Sequence, residues 1–319
     1  MNERHVRVLH MVAESYIATA HPVPSQHIAD QLDVSSATVR NDFGMLEEDG
    51  LLQQPHTSSG RIPTASGFRF YAASHLPPRR LPKRARDDVA RRLANADGDD
   101  VFQVASGLAA QLSGYAVLVR LPADQSLRVL EIHLSLLSSR RLLAVVVLES
   151  GLVRQLGVDL HPAPDDDVID DAERNIRQLA LSVGEVPSAL RVLANNTESD
   201  LARTLRAVAD AWGGLRSPRL FRDGLSRLLA EPEGHDPAFV RLVVELIEGA
   251  APVSEDLEGS YAVELDDHLA KISAAFGFGA GRGMLTLVGP ARMRYPLALS
   301  IASEFGRALD NTVAAPHGG

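Results

Sequence analysis

Apolar positions recur near helical spacing at the start of the chain: Val6, Leu9, Ala13, Tyr16 and Ile17 predict an amphipathic helix over residues 4 to 18. His21-Pro22-Val23-Pro24 breaks it, and Ser25 is placed to cap a short second helix carrying Ile28, Ala29 and Leu32. A third helix is expected to open at Ser35 or Ser36. Its Val39, Phe43 and Leu46 stand at i, i+4 and i+7 on one stripe, so helical geometry turns Ala37, Arg40, Asn41 and Gly44 away from the core. After Gly50, Leu51 to Gln54 and Arg61 to Pro63 read as two short strands around a polar tip, Pro55 to Gly60. Thr64 offers a cap for a helix with Phe68, Phe70 and Tyr71, and Leu76-Pro77-Pro78 closes the unit, since two successive prolines end a helix. Residues 1–76 therefore read as a winged helix-turn-helix.

Beyond it, residues 77–100 read as a basic linker and helix, the helix at roughly 79 to 95. From Gly114 the texture becomes strand-like, in Tyr115 to Val119, the alternating Leu127 to Leu134, and the almost wholly apolar Leu142 to Glu149. The last of these is expected to be a central strand buried on both faces. Residues 160–228 turn helical, and Val240 to Ile247 continues in the same way. Tyr261 to Leu265 and Met284 to Val288 return to strand, before a final helix from Leu297 to Leu309. Strands on both sides of a helical block predict an α+β multidomain chain: a discontinuous sheet domain, 101–159 and 229–319, carrying an inserted domain at 160–228. No internal repeat is visible.

Composition narrows the class. A chain of 319 residues, 45% hydrophobic and 23% charged, has the make-up of folded globular protein. The apolar run Leu142 to Leu148 falls far short of the ~20 residues a membrane helix needs, and the N-terminus lacks a signal-peptide pattern, so a cytoplasmic protein is expected. Without cysteine there is no disulfide framework, no thiolate metal site and no cysteine nucleophile. The formal net charge of -9 looks adverse for a nucleic-acid binder, but its distribution is not. Basic residues gather early, at Arg61, Arg69 and Arg79 to Arg92, and acidic runs such as Asp97 to Asp100 and Asp165 to Asp167 come later. An acidic body with a locally basic head suits oriented binding to DNA.

The third helix carries the candidate chemistry. Arginine forks onto guanine O6 and N7, and asparagine onto adenine N6 and N7, so Arg40 and Asn41 are the candidate base readers, with Ala37 beside them. Ser25, Ser35, Ser36 and Thr38 can hold phosphates through hydroxyls and helix-start N–H groups, and each is also a plausible N-cap. In the wing, Arg61 is the candidate phosphate or minor-groove contact, supported by Thr57, Ser58 and Ser59; the plainer reading is a polar hairpin tip. Asp42, nearer the apolar stripe, reads as a structural partner. The basic residues from Arg79 to Arg92 are interrupted by Asp87 and Asp88 and fit a charged linker helix as well as a contact to flanking backbone. Asp166, Asp167 and Asp170 have the Asp-Asp-x-x-Asp spacing that holds magnesium and diphosphate in isoprenoid synthases, but no second metal-binding segment accompanies them, and a solvated helix start explains them better. Gly277 to Gly283 fails the spacing of a nucleotide loop and precedes a strand where such a loop follows one. The histidines form no metal pair and no catalytic set, and no cofactor is expected.

The order of residues in Ser35-Ser36-Ala37-Thr38-Val39-Arg40-Asn41-Asp42, in Leu46-Glu47-Glu48 with Gly50, and in Pro55-His56-Thr57-Ser58-Ser59-Gly60-Arg61-Ile62-Pro63-Thr64 with Gly67-Phe68-Arg69 resembles the heat-inducible transcription repressor HrcA family. Val288-Gly289-Pro290-Ala291-Arg292-Met293-Arg294-Tyr295-Pro296 resembles that family's second signature. The resemblance implies a winged-helix head, a GAF-like α/β domain interrupted by a dimerisation domain, and a homodimer on an inverted-repeat operator upstream of chaperone operons. It also implies release on heat stress and modulation by the GroE chaperonin. Two departures stand out: Ala20-His21-Pro22-Val23-Pro24-Ser25 replaces a Gly-rich loop with a stiffer one, and Val263-Glu264-Leu265-Asp266-Asp267 lacks a glycine expected there, which argues against a GAF-type ligand pocket. Three alternatives stay open: a metabolite-sensing winged-helix repressor, an enzyme with an accessory head using Asp166, Asp167 and Asp170, and a chaperone-associated scaffold whose head binds protein.

Overall fold

Asn2 opens the first helix: its side chain accepts the His5 amide at 2.8 Å, and α1 runs Glu3–Thr19. The expected stripe has the right period but is rotated, because Val8, Leu9, Val12 and Ala13 are the buried residues while Val6, Tyr16 and Ile17 are half-exposed. Helix α2, Ser25–Leu32, starts behind Pro24 and has no side-chain cap. Ser25 therefore lies inside the first turn and is not the N-cap expected of it. Asp33 closes α2 in the left-handed region at φ 53°, which a short polar side chain tolerates better than most. Helix α3, Ser36–Glu48, is capped by Ser35, whose hydroxyl accepts the Thr38 amide at 3.0 Å. Strands β1, Leu52–Gln53, and β2, Ile62–Pro63, pair antiparallel as the wing, and α4, Ala65–Ala73, starts at the Thr64 cap. The Thr64 hydroxyl accepts the Gly67 amide at 3.1 Å and donates to the Gly50 carbonyl at 2.6 Å, so one side chain ties the cap to the end of the preceding helix segment.

The computed structural model describes residues 1–56, 59–96, 98–149, 151–197, 199–215, 218–247, 261–278 and 281–314. Past the head come α5, Lys83–Ala94, and α6, Asp100–Ser113. The sequence pattern had not marked α6, whose small residues Ala105, Ser106, Ala109 and Ala110 are buried and give a weak apolar period. Strand β3, Ala116–Leu121, is followed by β4, Val129–Ser138, β5, Arg141–Leu148, and β6, Val153–Asp159. Helices α7, Asp166–Leu179, α8, Val186–Asn195, and α9, Ser199–Ala211, lead to β7, Arg219–Asp223. The chain continues through α10, Leu225–Leu229, α11, Pro237–Ile247, β8, Tyr261–Leu265, β9, Leu269–Phe278, β10, Gly281–Pro290, and α12, Tyr295–Ala314.

Among the described residues, two sheets divide the body. One is antiparallel in the order β7-β3-β10-β9-β8, and the other contains only β4-β5-β6. The smaller sheet shares a separate core with α7, α8 and α9, centred on Ile132, Val146, Val158, Leu190 and Trp212. The strands expected in the GAF-like sheet between Leu127 and Glu149 thus belong to the inserted unit. The insertion leaves after β3 and returns at β7, which pairs directly with β3 (Val119 opposite Phe221), so the expected limits at 160 and 228 move to the ends of those two strands. Strand β5 is central in its own sheet but buried on one face only: Leu142, Ala144, Val146 and Leu148 point inward, and Leu143, Val145 and Val147 stand half-exposed between them. Strand β9 had not been expected. It pairs antiparallel with β10 over ten residues, Gly281 opposite Phe278, and residues 279 and 280 of the Gly277 to Gly283 run lie outside the described residues.

The head has its own core, including Leu9, Ile28, Val39, Phe43, Leu46 and Leu52. Helix α4 faces the other way: Phe68 and Tyr71 join the main core of the body, where Tyr295 at the start of α12 lies 5.8 Å from the first ring and 6.2 Å from the second. The Arg69 guanidinium donates to the Leu265 carbonyl at 3.0 Å. Among the described residues, no helix is long and apolar enough to cross a membrane.

Candidate nucleic-acid interface

Helix α3 buries Val39, Phe43 and Leu46 and exposes Ala37, Arg40 and Asn41. The stripe and the free face are those read from the sequence, because both follow from helical period alone. Arg40 makes one weak contact, 3.5 Å to the Ser36 hydroxyl, and is otherwise directed to solvent. The first turn is held by hydroxyls: Ser35 Oγ lies 2.7 Å from Thr38 Oγ1, and Ser25 Oγ lies 2.8 Å from Ser36 Oγ, joining the first turns of α2 and α3. Of the candidate phosphate holders, Ser25, Ser36 and Thr38 are half-buried and Ser35 is exposed. Their hydroxyls can pair with one another and still offer a lone pair or proton outward. Gly44, a turn beyond Arg40, is open: a β-carbon there meets nothing within 4 Å.

Asp42 points inward with 7% of its surface exposed. Arg4 of α1 donates to its Oδ2 from Nε at 3.1 Å and from a terminal nitrogen at 2.6 Å, and His5 Nε2 stands 3.6 Å from Oδ1. The structural role expected of Asp42 is what this geometry provides, since the pair fixes α3 against α1. The partner was not legible, because Arg4 is 38 residues away.

The wing is clasped rather than loose. Val23 and Arg61 exchange backbone hydrogen bonds, both at 2.9 Å, which adds the α1–α2 connection to the wing. Gly60 permits that approach: a β-carbon would lie 2.3 Å from the Val23 carbonyl carbon. Ser59 braces the tip, its hydroxyl accepting the His56 amide at 3.0 Å and donating to the His56 carbonyl at 2.6 Å. Thr57 and Ser58 lie outside the described residues. The Arg61 side chain turns back onto α3, where Nε stands 2.9 Å from Glu47 Oε1.

The second signature, Val288 to Pro296, lies at the joint between head and body, where Tyr295 meets Phe68 and Tyr71 of α4. Arg292 donates to Glu233 at 2.7 and 3.0 Å and to Glu231 at 2.8 Å. Tyr115 accepts the Arg294 amide at 2.8 Å, and the Arg294 guanidinium donates to the Ser113 carbonyl at 2.9 Å. Arg292 also lines a crevice of about 110 Å³ with Gln53, Ile62 and Pro63 of the wing segment and Asp266, Asp267 and His268 of the body. That is the volume of about four waters. Asp166, Asp167 and Asp170 lie exposed in the first turns of α7, and no group of three His, Asp or Glu side chains suited to a metal occurs among the described residues.

Residues 99–298 match the family model described as the HrcA protein C terminal domain, and residues 5–61 match the DeoR-like helix-turn-helix domain. The heat-inducible transcription repressor HrcA of Acidothermus cellulolyticus is 31% identical, with 98% of this chain and 99% of that protein covered. Its namesake in Clavibacter michiganensis is 30% identical over 97% and 98%, and that of Clostridium perfringens 27% over 98% and 99%. A solved structure titled as a hypothetical protein at 2.2 Å aligns over 98% of this chain and 99% of its own, with a TM-score of 0.66 at 22% identity, and shows the same fold.

Proposed function

The chain belongs to the HrcA family of heat-inducible transcription repressors, and from that premise we propose that it represses chaperone operons as a homodimer on an inverted-repeat operator and leaves it on heat stress. The observation that carries the reading is α3: capped at Ser35, fixed from behind by Arg4 and Asp42, and free along Ala37, Arg40 and Asn41. Such a helix enters the major groove with its N-terminal half, and Arg40 and Asn41 have the donor and acceptor sets to read base edges. Ser25, Ser35, Ser36 and Thr38 set the approach through phosphates, and the wing with Ser59 and Arg61 flanks the groove. A two-fold dimer presents two such helices to a palindrome. Its contact is supported by the outer face of the small sheet, where Leu143, Val145 and Val147 stand half-exposed beside Val153, which is 53% exposed. Family membership supports release on heat, modulation by the GroE chaperonin, a cytoplasmic site of action and the lack of catalysis. Fluorescence anisotropy with a labelled inverted-repeat duplex and a scrambled control, at two salt concentrations, tests the central claim. The operator is expected to bind more tightly at both; equal affinity for the two duplexes rules out sequence-specific repression.

A further inference from the structure

Glu47 stands in the last turn of α3, where the helix dipole disfavours a carboxylate, and Glu48 and Asp49 follow it with no basic residue in that turn. An acidic helix end beside a DNA-reading face needs a cation to hold it. Arg61 supplies it from 14 positions along the chain, with the Nε–Oε1 distance of 2.9 Å and side chains only 20% and 29% exposed. The backbone of the same residue is bonded in both directions to Val23, and a β-carbon on its neighbour Gly60 would lie 2.3 Å from the Val23 carbonyl carbon, so that a larger residue would push the two segments apart. Arg61 thus joins three segments: the wing, the α1–α2 connection and the end of α3.

We infer that Arg61 and Glu47 form a latch that sets the wing against the recognition helix, and that Arg61 is a positioning residue acting through Glu47 rather than a phosphate contact. The inference rests on the DNA-binding reading above and sharpens it, because discrimination between sequences then depends on an ion pair that touches no base. If the wing is free to move, Arg40 and Asn41 still meet the groove but the angle of approach is no longer fixed.

The test is a double-mutant cycle on the full chain: Glu47→Gln, Arg61→Gln and both together, titrated with operator and scrambled duplexes over a range of salt. Each single change is expected to lower the ratio of operator to scrambled affinity by about three- to tenfold, and the double variant to fall no further, as for two groups acting as a unit. The slope of log affinity against log salt should stay at the wild-type value in Arg61→Gln. Arg61→Lys, which keeps the charge, should recover part of the ratio. A slope that drops by about one phosphate contact in Arg61→Gln, with the ratio unchanged in Glu47→Gln, overturns the latch. Amide hydrogen exchange at Gln53, Arg61 and Ile62 reads the latch without DNA: it should quicken in Glu47→Gln, and unchanged exchange counts against the inference. A wild-type protein that fails to discriminate, with exchange quickened in the variant, removes the operator reading and leaves the latch standing.

Discussion

Arg40 and Asp42 are two positions apart on α3 and do opposite work, one outward and one inward. Arg40→Ala is expected to leave folding intact and to cost on the order of 1–3 kcal/mol of discrimination if the arginine forks onto a base; retention of the full affinity ratio by the folded variant would show that it reads none. Asp42→Asn keeps the shape but removes the charge that Arg4 and His5 face, and should lower the stability of the head by about 1–2 kcal/mol in urea unfolding. An unchanged midpoint would mean the pair is balanced by solvent. The outward residues were legible because exposure on a helix follows from period. The Arg4–Asp42 and Glu47–Arg61 pairs were not, because nothing local says which charges meet across 38 or 14 residues. Of the candidate sites, Thr57 and Ser58 lie outside the described residues, and Arg61 shows a partner that its charge alone did not announce.

Glycines mark what the elements of the head tolerate. A β-carbon at Gly60 would collide with the Val23 backbone, so Gly60→Ala should destabilise by about 1–3 kcal/mol and loosen the wing. Gly44 is the reverse case, an open position inside α3, where Gly44→Ala should raise stability by about 0.5–1 kcal/mol. Thermal melts of the two variants check both, and an unchanged melt for Gly60→Ala would show that the clasp yields. Most elements were legible where apolar period was strong, as in α3, β3 and α12. Helix α6 was missed because Ala105, Ser106, Ala109 and Ala110 share its buried face with only three larger apolar residues, and β9 because two of its five alternating inward positions, Ala270 and Ala274, are small and Leu269 interrupts the polar side.

At the scale of the molecule, head and body share a joint around α4. His10 of α1 and His75 beyond α4 stack with ring centroids 6.2 Å apart, each edge-on to Tyr71, with Glu14 and Arg79 as the neighbouring charges. Burial pushes both imidazoles below their ordinary value and pushes the Tyr71 hydroxyl up to about 12. A histidine whose folded pKa is depressed binds fewer protons folded than unfolded, so its stability is present above about 6.5 and lost as pH falls below that value. Urea midpoints should therefore drop between about pH 7.5 and pH 5.5, and drop less in His10→Gln; equal pH dependence in the two proteins would clear His10 of the effect.

The sequence by itself determined the winged head and the face of α3 that is free, because helical period, capping chemistry and turn residues act over a few neighbouring positions; the family came from the resemblance of the two signatures alone. Tertiary structure alone decided which strands share a sheet and where the insertion begins. The runs at β3 and β5 are alike in apolar character, yet the first pairs with β7 and β10 and the second with β4 and β6. Pairing depends on which chain segment is brought alongside, and a strand's own residues do not record it. The same holds for the wing: its strands were readable, but the pairing of Arg61 with Glu47 follows only once the residue before β2 is brought beside the last turn of α3.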